Sequence, residues 1–208
     1  MKKQTMMIIL LVLLAVFALY WFKFRNKGNG EGDGGVKQQA LTLKKHSEKF
    51  NNSVTAAMDA YFEAKDDFVE ADTTKAKTSI RKFIILMDSI PVDELKKDTA
   101  GIYETAVSNA DNVKMNAESL LKQTSIKEMR MDFRGISDAL FPSFFKAINY
   151  EGRKIYLQNC PMAFGDNNDA NWISSTYEIF NPYLGKHDSL YKAAMVGCGS
   201  VKDSIFVK

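Results

Sequence analysis

Four stretches of this 208-residue chain repeat apolar residues at three- and four-residue steps, the spacing that lines them up on one face of an α-helix. The first carries Val54, Met58, Tyr61, Phe62, Lys65, Phe68 and Val69. The second carries Ala76, Ile80, Phe83, Ile84, Met87 and Ile90, and Pro91 stops it, because proline cannot donate the next helical hydrogen bond. The third runs through Ile102, Ala106, Ala110, Val113, Ala117, Leu120 and Leu121. The fourth opens on Ser125-Ile126-Lys127-Glu128, a capping-box pattern, and continues through Met129, Phe133, Ile136, Leu140 and Phe144, with Pro142 expected to interrupt it. A helix with one apolar face must bury that face against another element. The connections are short, so the spacing predicts an up-and-down four-helix bundle of antiparallel neighbours.

After about Tyr150 the pattern changes. Arg153 to Cys160 and Asn171 to Ser175 read as short strands, Asp166-Asn167-Asn168-Asp169 and Asn181-Pro182-Tyr183-Leu184-Gly185 as turns, and Ser189 to Met195 as helical. The fold class expected is mainly α, with a small irregular or β segment at the C-terminal end.

The N-terminal end predicts something different. Met6 to Phe22 is uninterrupted apolar sequence; as a helix it would span roughly 25 Å at about 1.5 Å per residue, the short end of what crosses a bilayer. Tyr20, Trp21 and Phe22 close it before Lys23 and Arg25, an order typical of the membrane–water boundary. The small residues that signal cleavage requires are absent there. The sequence therefore predicts a transmembrane helix: residues 1–25 as anchor, 26–36 as a Gly-rich linker, and 37–208 as the bundle domain with its C-terminal motifs. Lysines and arginines flank the apolar run on both sides, so charge does not fix its orientation.

The net charge is only +3, with both signs mixed along the chain. No basic face interleaved with aromatics appears, which argues against nucleic acid as a partner. There is no Gly-x-Ser-x-Gly elbow and no His-Glu-x-x-His, and the chain reads as a non-enzyme. His46 reads as a solvated helix residue and His187 as a surface loop residue.

Both cysteines fall in sulfur-rich motifs, Cys160-Pro161-Met162 and Met195-Val196-Gly197-Cys198-Gly199. Thiolates and thioethers are soft ligands that select Cu(I), which makes Cys160, Met162, Met195 and Cys198 candidate metal ligands. The same two cysteines suit a structural disulfide in an oxidising compartment. Their spacing does not match a structural zinc site.

Tyr156 with Cys160-Pro161-Met162, Trp172-Ile173-Ser174, Asn181-Pro182-Tyr183-Leu184-Gly185, and Met195 with Cys198-Gly199 follow one another in this order. In that order they resemble a bacterial domain of unknown function, number 3347. Arg130, Phe133, Ser137 and Leu140 in the helical part fit the same resemblance. It extends over roughly residues 53–207. That family often accompanies periplasmic adaptors of heavy-metal efflux pumps. The resemblance implies a domain facing the periplasm from a single-pass inner-membrane anchor, with efflux or other envelope proteins as partners and copper as the metal. Trp172, Tyr183 and Asn181 would frame the sulfur site. The family places its methionine shortly after the Asn-Pro-Tyr-x-Gly glycine, whereas here Lys186 to Ala194 intervene before Met195. The alternative reading is a non-catalytic interaction module with a structural Cys160–Cys198 disulfide.

Overall fold

The computed structural model describes residues 46–98 and 101–205. Four helices carry the predicted stripes: α1 (Glu48–Val69), α2 (Thr73–Asp88), α3 (Ile102–Lys122) and α4 (Ile126–Ala139). Their starts are set by side-chain caps, which satisfy backbone N–H groups that no helical carbonyl can reach. Ser47 Oγ accepts from Phe50 N at 3.0 Å ahead of α1. Asp72 Oδ1 accepts from Lys75 N at 2.9 Å ahead of α2. Ser125 Oγ accepts from Glu128 N at 3.2 Å and donates to Glu128 Oε2 at 2.9 Å ahead of α4. Beyond α4 the predicted interruption is present. Phe141 leaves helical geometry (φ −116°, ψ 126°) inside a π-helical segment, Leu140–Phe144, and a short α5 (Phe145–Ala147) follows.

Consecutive helices pack on one another, α1 on α2, α2 on α3 and α3 on α4. Aromatic rings join α1 to α4: Tyr61 stacks on Phe133 with centroids 4.9 Å apart, and Phe68 meets the same ring at 5.0 Å. The charged side of each helix faces outward, so the stripes bury and the rest stays wet.

The C-terminal segment contains the two strands the sequence predicts and adds a third. It is a regular antiparallel sheet of β1 (Ile155–Cys160), β2 (Ala170–Ser174) and β3 (Ser200–Ile205), in the order β2-β1-β3. Cys160 pairs with Ala170 on one side, and Asn159 pairs with Ser200 on the other. β3 escaped the sequence reading because Ser200-Val-Lys-Asp-Ser-Ile lies at a sheet edge and none of its residues is fully buried, so it shows no apolar alternation. The helix expected over Ser189–Met195 shrinks to a 3₁₀ turn at Ala193–Met195. His46 is also not a solvated helix residue: it precedes α1, its Nε2 donates to Ile148 O at 2.5 Å, and its ring stacks on Phe50 at 4.2 Å.

The expected transmembrane helix is likewise corrected. No helix among the described residues is long and apolar enough to cross a membrane, because each has charges recurring around its exposed face. The apolar run at Met6–Phe22 lies outside the described residues, so an N-terminal membrane-spanning helix is not part of the supported fold.

The sheet is tied to the bundle by Tyr61. Its side chain is fully buried on α1; the hydroxyl shares a 2.7 Å hydrogen bond with Ser137 Oγ of α4 and accepts from Ile173 N of β2 at 3.0 Å. Burial raises the Tyr61 phenol far above the ordinary tyrosine range, so it stays a neutral donor. Tyr61→Phe keeps the ring and strands the Ile173 N–H, while Ser137 keeps its bond to Phe133 O. The expected loss is about 1–3 kcal/mol, read as a lower urea midpoint with an unchanged slope. A midpoint equal to that of the wild type would show that the hydroxyl does not join the two parts.

Candidate functional site

The sulfur motifs are brought together by the sheet. Cys160 closes the central strand β1 and is fully buried, and Cys198 stands just before the edge strand β3. The two are joined as a disulfide with Cα atoms 5.7 Å apart. Gly199 allows the approach. Its φ is +140°, and a Cβ there would stand 2.8 Å from both Asn159 O and the Trp172 ring atom Cη2.

Asn181, Trp172 and Tyr183 do lie around this link, and their geometry is structural. Asn181 is fully buried. Its Nδ2 donates to Cys198 O at 2.9 Å, while its Oδ1 accepts from Tyr183 N at 2.8 Å and Leu184 N at 3.1 Å. One side chain thus holds both the turn and the strand entry, using nearly all its hydrogen-bonding capacity. Trp172 is fully buried on β2 and meets Tyr183 edge-on at 6.0 Å. The Tyr183 hydroxyl donates to Asn171 O, and burial raises its pKa well above the tyrosine norm.

The two methionines separate. Met162 and Met195 are both half-buried against the core. Met162 lines a cleft beside the turn, whereas Met195 ends the 3₁₀ turn, where its carbonyl accepts from Cys198 N at 2.9 Å. With the cysteines linked, the four-residue donor set offers thioethers and no thiolate, so it fits Cu(I) only after reduction.

The sequence reading gave Arg130 no chemical role. It lies on α4 beside the stripe residue Met129, at i−3 from Phe133 and i−7 from Ser137, so the buried face is wider than the apolar residues alone mark. Arg130 is 6% exposed. Its Nη2 donates to Phe68 O at 2.9 Å, and its Nε has no partner. Burial pushes its pKa down to about 10, against the pull of the Asp188 carboxylate. Gly185 (φ +60°) packs directly on it: a Cβ there would stand 2.9 Å from Arg130 Nη2 and 2.7 Å from Val69 O. His187 is exposed on the same cleft, 3.8 Å from Glu70 Oε2.

Residues 57–149 match the family model described as a protein of unknown function, DUF3347. The match covers α1 from Ala57 through α4 and stops before the cysteine motifs. No curated protein matches the chain, and no solved structure does so.

The disulfide closes a loop over a separation of 38 residues, for which chain entropy alone gives ~4 kcal/mol of stabilisation. Cys160→Ser and Cys198→Ser should therefore lose similar stability in oxidising buffer, and much of the difference from wild type should vanish under a thiol reductant. Denaturation curves with and without reductant measure this. A serine variant as stable as the oxidised wild type would remove the staple from the account.

Proposed function

We propose that this domain is a non-catalytic binding module of the bacterial envelope, working in an oxidising compartment and associated with heavy-metal handling. The observation that carries the reading is the Cys160–Cys198 link, which joins the end of the central strand β1 to the segment that enters β3. Disulfides form and persist outside the reducing cytosol. Around it, Asn181, Trp172, Tyr183 and Gly199 serve the geometry of the link, and none is arranged as an acid, base or nucleophile beside a free thiol. The association with efflux systems rests on the family resemblance alone. A periplasm-dependent reporter fused after Lys208 should be active, and a cytoplasm-dependent one silent. The reverse pattern would place the cysteines in a reducing compartment and overturn the reading.

A second reading is favoured by one distance. The 5.7 Å between the Cα atoms sets the two sulfurs side by side, so reduction would generate a pair of thiolates suited to Cu(I). Met162, two residues after Cys160, would be the first added thioether, and Met195 the lesser one. Competition with a Cu(I) chelator should show about one equivalent bound by the reduced chain and none by the oxidised chain. Met162→Leu should weaken that binding with little effect on the fold. Binding by the reduced chain no tighter than by a Cys160→Ser/Cys198→Ser control would end the copper reading and leave the stapled module.

A further inference from the structure

Arg130 is a buried cation without a counter-ion in contact among the described residues. A guanidinium taken out of water costs several kcal/mol unless it is paired and hydrogen-bonded. Here it spends one donor on the Phe68 carbonyl, and its Nε is left without a partner. Asp188 is the acidic group that acts on it, yet that carboxylate is already engaged: its Oδ1 accepts from Leu190 N at 2.9 Å and Tyr191 N at 2.8 Å. Arg130 itself lines a cleft of about 740 Å³, a size typical of sites for small organic ligands. Its walls carry apolar groups, with Ile126, Met162, Phe164, Leu184 and Tyr191 among them, while Lys127 and His187 add basic groups beside the Asp188 carboxylate. Such walls call for an apolar body, and the arginine fork calls for a planar anion that accepts in pairs.

We propose that this cleft binds a carboxylate carrying an apolar body, with the Arg130 guanidinium as its counter-ion. The inference rests on the domain being a binding module and supplies the ligand class for it. A small organic acid and a peptide C-terminus that ends in an apolar residue present the same chemistry, so both are tested.

The probes are phenylbutyrate and acetyl-Gly-Gly-Leu with a free carboxylate, each beside its amide, titrated into the full chain by calorimetry. At least one acid should bind saturably, and its amide should bind about tenfold more weakly or worse, as expected for loss of hydrogen bonds to a charged group. Phenylbutyrate alone would identify a small acid, and the peptide alone a chain terminus. Arg130→Met should abolish binding. Because that change sits in the core, Leu190→Asp provides the second arm. Leu190 is 74% exposed at the cleft, so the fold should persist while the added anion weakens binding about tenfold. The proposal is overturned if neither acid binds saturably at millimolar concentration, if the amides bind as well as the acids, or if Leu190→Asp binds unchanged. Those outcomes remove the ligand class; failure of the reporter experiment would remove the envelope module itself.

Discussion

The Tyr61 phenol hydroxyl is the point at which α1, α4 and β2 meet. Tyr61 projects from α1 into a space closed by α4 and by the edge strand β2, and its oxygen serves Ser137 Oγ and the Ile173 N–H together. An edge strand leaves a row of backbone groups unpaired, and burying one without a partner costs free energy comparable to a lost hydrogen bond. Tyr61 meets that need from inside the core. The ring stack on Phe133 fixes where the hydroxyl can stand, so sheet position follows from helix packing.

The C-terminal end of α1 provides the second junction. Its last carbonyls have no helical partner. Phe68 O accepts from Arg130, and Val69 O accepts from Lys186 N at 2.7 Å. The first bond joins α4 to α1, the second draws the turn that begins at Asn181 onto the bundle, and Gly185 permits the contact because no Cβ intervenes. The same turn is tied through Asn181 to Cys198. Helix end, buried arginine, turn and disulfide therefore form one connected unit, and the cleft is the space that this unit leaves open.

The helices were legible because their apolar residues recur with helical period and because Ser125 and Pro91 mark ends by mechanisms that act locally. The helix pairings followed from short connections. The sheet was only partly legible. β1 contains Ile155 and Leu157, but Gln158 and Asn159 are also buried, held by partners ten or more residues away, such as the Gln158 Nε2 bond to Glu178 O at 3.0 Å. Burial of that kind leaves no hydrophobic pattern to read. The two cysteines are joined as a disulfide, one of the outcomes the sequence left open beside a soft-metal site and buried free thiols. Their aromatic and amide neighbours hold the backbone, a role composition does not reveal. Arg130 was invisible as a site because a charged residue on a helix ordinarily faces water, and only the packed turn shows that this one does not.

The turn that borders the cleft is tied through Asn181 to Cys198, so its placement depends on the oxidised cysteine pair. That dependence is tested most directly by the thiol state of the protein taken from its own cells. After alkylation during lysis and proteolysis without reductant, mass spectrometry should recover the peptides containing Cys160 and Cys198 as one linked species. Recovery of both peptides separately, each carrying the alkyl group, would contradict the account, since the pair would then be reduced where the protein works.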